Sequence, residues 1–331
     1  MRLEPNPENI RHCAGLLQAG EVVAVPTETV YGLAGNALDE SAVRRIFEIK
    51  GRPLIDPLIC HFASLEEVGR QVFLSAQIEA LAEAFWPGAL TIVAKKQAHI
   101  PDVVTAGLPS AAVRMPEHPV FRSLLEATGF PLAAPSANPF GYVSPANAEQ
   151  VEQTLGEKIP AILDAGPCPI GIESTIIDMR DSSRPAILRH GPIQPEDLQQ
   201  VLGARIEDRV ESPRQVSVDA QEKQLAPGRL KQHYSPHAEV RLLEHGITGE
   251  RLSPESQIAF LLNKRPHFTP CPDNTYWLSE DGNLSTIARN LFGVLQKLDH
   301  LGYRKIQVEL CAQEGIGRAV NDRVARAAAK S

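Results

Sequence analysis

Polar side chains that suit anion binding follow short apolar stretches in the first third of the chain. The apolar residues 22–25 predict a buried strand, and the run Pro-Thr-Glu-Thr-Val-Tyr-Gly follows at residues 26–32. Lys50 and Arg52 lie at the end of a predicted helix, and His61 comes near the end of the next apolar stretch. In open α/β sheets ligands bind at the carboxyl ends of strands, where Arg binds an anion with its planar fork and Lys acts as a point charge. The pattern therefore predicts a site for a phosphorylated ligand.

A second polar loop follows the apolar residues 132–134. Its sequence is Pro-Ser-Ala-Asn-Pro at residues 135–139, and it continues through Gly141 and Ser144. A loop of this kind between a strand and a helix can offer backbone N–H groups to phosphate. Ser, Asn and Pro are also the usual residues of a plain turn, so both interpretations stand at this point.

Two further arginines, Arg114 and Arg189, end predicted strands and favour an anion-binding interpretation, although each also fits a surface salt bridge. The segment at residues 171–178 contains Ser174. No Gly-x-Ser-x-Gly elbow surrounds this serine, which argues against a hydrolase nucleophile. The sequence has no Walker loop, no dinucleotide-binding glycine motif after its first strand, and no grouping of His, Cys and Asp with zinc spacing.

The segment at residues 226–236 concentrates basic, aromatic and turn residues. It closes a stretch, beginning at residue 206, in which Glu, Asp, Arg, Ser, Pro and Gln dominate and no amphipathic period holds. Such a composition predicts a linker between two domains. The end of this linker is either a plain basic connection or a lid that docks on the active site and excludes water.

The composition excludes several classes of protein. A chain of 331 residues with 43% apolar and 22% charged residues is typical of a globular protein large enough for two cores. A net charge of −7 argues against a surface that is wholly a nucleic-acid clamp, although a local basic groove is compatible with it. Five scattered cysteines predict reduced thiols and no structural zinc. Without a signal peptide or an apolar run of membrane-spanning length, we expect a cytoplasmic protein that does not contact membranes.

Short apolar runs alternate with amphipathic helical patterns, and this alternation predicts an α/β protein. We expect a catalytic domain with a twisted, mixed open sheet and flanking helices at residues 1–205. Residues 206–237 are the predicted linker or lid. Residues 238–331 are predicted to form a smaller, Rossmann-like three-layer α/β domain with four strands.

Taken in order, these motifs resemble those of the YrdC-like family, in the long two-domain form of the L-threonylcarbamoyladenylate synthases. The matching stretches span the first domain, the linker and, more loosely, the second domain. They lie at residues 26–32, 50–57, 61, 113–116, 135–138, 173–178, 188–191 and 227–236. The resemblance implies a YrdC-like fold for the first domain.

The resemblance also implies a reaction, in which L-threonine, bicarbonate and ATP give L-threonylcarbamoyl-AMP and pyrophosphate. The product would serve the modification of the adenosine next to the anticodon in tRNA. The residues that the resemblance assigns to threonine binding are Thr29, His61, Arg114, Ala134 and Ser174. Those that it assigns to ATP are Arg52, Asp56, Ser110, Ser136, Asn138, Ser144, Arg189 and Tyr234. The predicted catalytic residues are Lys50 and Arg52, which would neutralise charge on ATP together with Mg²⁺.

Two positions depart from the family pattern. Asp56 stands where Asn is usual, and Ser110 stands where Thr is usual. The serine keeps a hydroxyl group, whereas the carboxylate of Asp56 places negative charge near phosphates and requires Mg²⁺ or a cationic side chain to compensate it. We expect no protein metal site beyond the Mg²⁺ that accompanies ATP, and the residues identify no general base.

Two other function classes stay open. An RNA-binding YrdC-like module would show salt-sensitive affinity for RNA without ATP turnover. A carbamoyl-transfer enzyme is the second alternative, because related domains occur in hydrogenase maturation proteins, although this chain lacks their acylphosphatase and zinc-finger regions. Contact with tRNA and with transfer-complex proteins is a further expectation.

Overall fold

Two sheets of unequal size organise the residues that the computed structural model describes, which are 1–210, 225–228, 233–243, 257–267 and 271–329. The larger sheet occupies the first part of the chain and the smaller one the last part. No helix in these ranges is long and apolar enough to cross a membrane.

The larger sheet is mixed, as the alternation of elements predicts. Its strands are β1 (Arg2–Leu3), β2 (Val23–Val25), β3 (Gly32–Asn36), β4 (Ile59–His61), β5 (Leu90–Lys95), β6 (Ser110–Arg114), β7 (Leu132–Ala133), β8 (Ile162–Leu163), β9 (Thr175–Asp178), β10 (Ala186–Arg189) and β11 (Glu207–Asp208). Within the described ranges their order is β1-β8-β2-β3-β7-β4-β6-β5-β9-β10-β11. β4 runs parallel to β6, whereas β5 is antiparallel to β6 and parallel to β9.

The helices of this first part begin where the sequence offers side-chain caps. They are α1 (Pro7–Gln18), α2 (Glu40–Lys50), α3 (Leu65–Gly69), α4 (Ala76–Phe85), α5 (Pro119–Thr128), α6 (Ala148–Leu155) and α7 (Pro195–Leu202). Asn6 and Asp39 accept hydrogen bonds from backbone N–H groups at the starts of α1 and α2. Gly51, in the left-handed conformation, ends α2 and so separates Lys50 from Arg52.

The large sheet has a hydrophobic core on each face. Consecutive residues of a strand point to opposite faces, so Ala24 joins one core and Val23 the other. α2 contributes Ile46 to the first core, and α1 and α5 contribute Leu17 and Leu124 to the second. Both faces are therefore covered, and a ligand must approach at strand ends and loops.

The smaller sheet is entirely parallel in the part of the chain that is described. Its strands are β12 (Glu239–Leu243), β13 (Ile258–Lys264), β14 (Thr275–Ser279) and β15 (Lys305–Glu309), in the order β12-β15-β13-β14. Two helices pack with it, α8 (Leu284–His300) and α9 (Gly317–Ala328). Asn283, the residue directly before α8, caps this helix by accepting a hydrogen bond from the N–H of Thr286.

The two parts share a buried contact. One hydrophobic cluster joins Val143 and Ile172 of the first part to Leu291 and Phe292 of α8. The predicted linker begins at residue 206, yet β11 pairs in parallel with β10, so the first sheet extends into it. Two segments of that linker, at residues 211–224 and 229–232, lie outside the described residues.

Candidate active site

Four strand ends meet at one edge of the large sheet. β4 ends at His61, β6 at Arg114 and β10 at Arg189, while Ser174 directly precedes β9. The mixed pairing of these strands brings all four residues to the same edge. A pocket lies there. It is lined by Thr27, Thr29, Val30, Gly32, Arg52, Ile59, His61, Arg114, Ala134, Pro135, Ser136, Glu173, Ser174, Arg189, Pro227, Gly228, His233 and Tyr234.

Arg114 is held rigidly in this pocket. Its side chain is 4% exposed, and its guanidinium donates to the carboxylate of Glu28, to the Thr29 hydroxyl at 3.1 Å and to the Gly88 carbonyl at 3.0 Å. Burial alone would raise the pKa of Glu28, but the charge and hydrogen bond of Arg114 outweigh burial and lower it. The pair is therefore ionised, and the Arg114 fork is preorganised for an anionic ligand.

His61 lies on the neighbouring strand as a neutral imidazole. Burial, and then the charge of Arg114, lower the pKa of His61 to about 3. Its Nδ1 is buried and has no hydrogen-bond partner among the described residues, and its ring lies 5.2 Å from that of Phe121. A buried nitrogen without a partner is costly in a finished fold, so it favours a site that a ligand completes.

Arg52 and Arg189 add two more buried guanidinium groups. Arg52 donates to the carbonyls of Asp56 and Pro57 at 3.0 and 2.8 Å. Arg189 donates to the carbonyl and hydroxyl of Ser174, both at 3.1 Å. Arg52 Nη2 also lies 2.8 Å from a carboxylate oxygen of Asp56, whereas the two Ser174 acceptors leave the charge of Arg189 uncancelled. Arg189 therefore gives the pocket a positive charge that suits phosphates.

The end of the linker covers the pocket. Ala226 is fully buried in a cluster with Ile176 and Leu188 of the sheet. Tyr234 is 1% exposed and stacks on the ring of Phe292 from α8, with ring centres 5.5 Å apart. Tyr234 adopts a φ of 61°, a left-handed conformation that few non-glycine residues accept. Such backbone strain is typical of residues that act at ligand sites.

Comparisons with known proteins identify the family. Residues 15–191 match a family model described as "Telomere recombination", and residues 193–329 match one described as "Threonylcarbamoyl-AMP synthase, C-terminal domain". The threonylcarbamoyl-AMP synthase of Pyrococcus abyssi is 40% identical over 326 residues, which are 96% of this chain and 93% of that protein. The chain belongs to the threonylcarbamoyl-AMP synthase family.

Two further comparisons also cover nearly the whole chain. The threonylcarbamoyl-AMP synthase of Bacillus subtilis is 36% identical over 335 residues, covering 98% of this chain and 94% of that protein. The crystal structure of Pyrococcus abyssi Sua5 complexed with L-threonine matches with a TM-score of 0.88 at 37% identity, and covers 99% of this chain and 97% of the other. The family and the fold class predicted from the motifs are confirmed.

Most of the residues that the motifs assign to the synthase site meet in the pocket. The nine that line it are Thr29, Arg52, His61, Arg114, Ala134, Ser136, Ser174, Arg189 and Tyr234. The five that do not line it are Lys50, Asp56, Ser110, Asn138 and Ser144. Their individual ligand contacts stay predictions.

Lys50 lies behind the pocket rather than in its lining. Its Nζ donates to the carbonyls of Ser136 and Asn138, both at 2.5 Å, and the residue is 4% exposed. Burial, followed by the positive charge of Arg52, lowers the pKa of Lys50 well below its ordinary value. Asn138 donates to the carbonyls of Pro139 and Tyr142 at 2.8 and 2.9 Å. Both side chains thus shape the polar loop that carries Ser136.

The side-chain oxygens of Asp56 and Ser110 are buried and have no hydrogen-bond partner among the described residues. One Asp56 oxygen lies 2.8 Å from Arg52 Nη2, which is an ion-pair distance, but the angle is not that of a hydrogen bond. Burial raises the pKa of Asp56, and the positive charges of Arg52 and Lys50 oppose that rise. Those two cations compensate the carboxylate of Asp56.

Sequence reasoning missed two ionisable residues that line the pocket. His233 precedes Tyr234 in the linker, and burial and the charge of Arg52 lower the pKa of His233 well below its usual value. Glu173 accepts a hydrogen bond from the Ser144 hydroxyl at 2.6 Å. Both residues lie within matching motifs, so their positions were visible, but nothing in a local pattern indicates their contacts. Within the described ranges, no group of three or more His, Cys, Asp or Glu side chains could hold a metal ion.

Proposed function

We propose that this protein forms L-threonylcarbamoyl-AMP from L-threonine, bicarbonate and ATP, with release of pyrophosphate. Its family membership supports the reaction class. The observation that carries the proposal is the presence of three buried arginines, Arg52, Arg114 and Arg189, in the lining of one pocket. Carboxylates and phosphates are the anions that Arg binds with two parallel hydrogen bonds.

In this proposal L-threonine occupies the part of the pocket around Arg114. The guanidinium binds the carboxylate, and Thr29, His61, Ala134 and Ser174 surround the rest of the amino acid. The unpartnered Nδ1 of His61 is available to a polar group of threonine. The relative from Pyrococcus abyssi, 37% identical to this chain, was solved in complex with L-threonine, which supports the assignment.

ATP occupies the part of the pocket around Arg52 and Arg189, with Ser136 and Tyr234 as further contacts. The two guanidinium groups neutralise the triphosphate as charge develops during transfer. Lys50 contributes by fixing the loop that carries Ser136, because both of its observed acceptors are carbonyls of that loop. The remaining ATP contacts in the proposal are Asp56, Ser110, Asn138 and Ser144.

Mg²⁺ enters this scheme as part of the MgATP substrate. The described part of the chain offers no cluster of acidic or histidine side chains that could hold the ion by itself. In this proposal phosphate oxygens of ATP and water would therefore hold the Mg²⁺, which is a common arrangement for this ion. Bound in this way, Mg²⁺ supplies further neutralisation of the triphosphate.

Two bond-forming steps make up the proposed chemistry. Bicarbonate takes up a proton and loses water to give CO₂. The deprotonated amine of threonine attacks the carbon of CO₂ and releases a proton to solvent, which gives a carbamate. A carbamate oxygen then attacks the α-phosphorus of ATP, and the bond from that phosphorus to pyrophosphate breaks. A pocket that holds the carbamate beside the α-phosphate makes this second step effectively intramolecular. The covering linker keeps water away from the labile carbamate.

The product would supply the threonylcarbamoyl group for the adenosine next to the anticodon in tRNA. We propose the cytoplasm as the compartment, where ATP and tRNA are both present. Direct contact with tRNA and with transfer-complex proteins stays a prediction.

Pyrophosphate release from MgATP tests the proposal directly. We expect release that requires both L-threonine and bicarbonate. Arg114→Met should lower kcat/KM for threonine by about a hundredfold, because the carboxylate loses a charged fork and Glu28 loses its buried partner. Arg44→Met serves as the control, because Arg44 is exposed on α2 and pairs with Glu40. A folded protein that binds ATP yet releases no pyrophosphate under any combination would overturn the proposal.

A further inference from the structure

One buried guanidinium behind the pocket wall comes from the far end of the chain, and it contacts the lining residue Glu173. Arg323 belongs to α9 of the C-terminal part, and its side chain is 0% exposed. Its Nε donates to Glu173 Oε2 at 2.8 Å across 150 residues of sequence. Its Nη2 donates to the carbonyl of His190 at 3.0 Å. Arg323 therefore joins the small parallel sheet to the site edge of the large one.

The contacts of Arg323 converge on the proposed ATP half of the pocket. Glu173 also accepts the hydrogen bond of the Ser144 hydroxyl at 2.6 Å. His190 directly follows Arg189. The guanidinium carbon of Arg323 lies 5.3 Å from the centre of the Tyr234 ring. Three proposed ATP contacts, which are Ser144, Arg189 and Tyr234, thus depend on one side chain of the C-terminal domain.

These segments are packed too tightly to move separately. A Cβ atom added at Gly191 would lie 2.3 Å from the backbone nitrogen of Thr175 and 2.8 Å from the carbonyl oxygen of Glu173. The loop after β10 and the segment before β9 are therefore in direct backbone contact. A displacement of Glu173 would also displace the loop that carries Arg189.

The charge of Arg323 also matters. Glu173 lines a pocket proposed to bind a polyanion, where an uncompensated carboxylate would repel phosphates. Arg323 neutralises this carboxylate, and Asp322, whose Oδ2 lies 2.8 Å from Arg323 Nη1, holds the guanidinium in place. Removal of one partner from such a buried pair leaves the other as an uncompensated buried charge, which is destabilising.

We propose that Arg323 is a positioning residue for ATP binding, which makes the C-terminal domain part of the nucleotide site. The inference rests on the proposed function, because it assumes that the Arg189 half of the pocket holds ATP. It predicts selectivity between substrates. The threonine half is organised mainly by Arg114, whose contacts are Glu28, Thr29 and Gly88, and none of these touches Arg323 in the described contacts. Among the proposed threonine contacts, Ser174 is next to Glu173 in the sequence, so the threonine half depends on Arg323 less than the ATP half does.

The decisive experiment compares Michaelis constants in the pyrophosphate assay on the full chain. Arg323→Met should raise KM for ATP by about tenfold or more and raise KM for threonine much less, because Glu173 becomes an unpaired charge in the phosphate site. Arg323→Lys, which keeps the charge but loses the fork, should fall between that variant and the parent protein. Arg323→Lys also tests the proposal if Arg323→Met fails to fold.

Glu173→Gln placed in the Arg323→Met background separates charge from packing. If Arg323 acts by neutralising Glu173, the double variant should recover part of the ATP affinity that Arg323→Met loses. The matched control is Arg318→Met, because Arg318 lies on the same helix and makes an interdomain ion pair with Glu196 at 2.9 Å without lining the pocket. It should leave KM for ATP unchanged.

The inference is overturned if Arg323→Met behaves like Arg318→Met, if both Michaelis constants rise by the same factor, or if Glu173→Gln recovers nothing. Calorimetric titration with MgATP repeats the comparison without turnover. If the parent protein releases no pyrophosphate, the proposed function fails, while the ATP affinities of the same variants still decide the role of Arg323.

Discussion

At the scale of single residues, the site depends on charged groups that are buried but not neutralised in the same way. Arg114 and Arg52 each face a buried carboxylate, whereas Arg189 donates only to carbonyl and hydroxyl oxygens in the described contacts. An arginine without a carboxylate partner keeps its positive charge available to phosphate, and one paired with a carboxylate gains a fixed orientation. The first arrangement suits a highly charged substrate, and the second suits a small anion that must be aligned.

The neutral state of His61 makes a prediction about pH. Its pKa is about 3 in the folded protein and about 6.5 when unfolded, so between these values the unfolded chain binds more protons and stability rises with pH. Acidification from pH 7 to 5 should therefore cost about 2 kcal/mol through this residue alone. His61→Gln should remove that part of the pH dependence, measured as the free energy of unfolding in urea at both pH values.

The matched control for this measurement is His12→Gln, because His12 is exposed on α1. Its stability should change with pH as that of the parent protein does. Equal losses on acidification in the parent protein and in His61→Gln would contradict the assignment of a buried neutral imidazole.

At the scale of elements, the end of the linker is fitted to the site by close backbone approach. Gly228 has a φ of 79°, and a Cβ atom there would lie 2.6 Å from the hydroxyl oxygen of Tyr234 and 3.1 Å from Nη1 of Arg189. The linker carbonyl of Pro227 accepts a hydrogen bond from Arg189 at 3.3 Å. A side chain at position 228 would thus push against two proposed ATP contacts at once.

Gly228→Ala tests this fit. We expect kcat/KM for ATP to fall by about tenfold or more, because the added methyl group displaces Tyr234 or Arg189 from the pocket. Gly203→Ala is the control, since Gly203 also has a positive φ, of 59°, but has no atom within 4 Å of the added Cβ. Both variants should lose about 1–2 kcal/mol of stability from backbone strain, and only the first should lose activity. Equal activity in the two variants would argue against a linker that closes the site.

At the scale of the whole molecule, the two parts are joined by a buried interface. Gln296 of α8 donates to the carbonyl of Val143 at 3.1 Å, and Ser235 donates to the carbonyl of Ala327 at 3.2 Å. Asp299 of α8 accepts a hydrogen bond from the hydroxyl of Tyr142 at 2.8 Å. Such contacts are mostly buried and specific, so we expect the two parts to unfold together.

Gly171 lies at a point of close backbone contact in this interface. A Cβ atom there would lie 2.4 Å from the Cα of Arg289 and 2.5 Å from its carbonyl oxygen, and its φ is 82°. Gly171→Ala should therefore cost about 1–2 kcal/mol of strain and a further 1–3 kcal/mol of overpacking, because a helix backbone cannot yield as a side chain can.

The control for Gly171→Ala is Gly166→Ala, five positions away with a φ of 79° and no atom within 4 Å of the added Cβ. Gly166→Ala should lose only the stability that the backbone strain costs. The measurement is the free energy of unfolding in urea, with pyrophosphate release as a second readout, because Gly171 also donates to the carbonyl of Thr29 at 3.0 Å. A stability loss at Gly171 no larger than that at Gly166 would contradict a rigid interface.

The sequence by itself determined the family and half of the residues that line the pocket. His61, Arg114 and Arg189 are the last residues of their strands, and the rule that ligands bind at strand ends brought them together before any contact was known. β3 escaped prediction because its sequence, Gly-Leu-Ala-Gly-Asn, has none of the β-branched or aromatic residues that indicate strands. Its neighbours β2 and β7 impose the extended form.

Only the tertiary structure decided which charges are paired. Lys50 and Arg52 look alike in a motif, yet one lies behind the pocket with its Nζ donating to two loop carbonyls and the other lines the pocket. The pairing of Arg323 with Glu173 spans 150 residues and requires two separately built sheets to dock. Local patterns arise from interactions a few residues apart, whereas the partner of a buried charge is set by packing between distant elements, which no short stretch of sequence encodes.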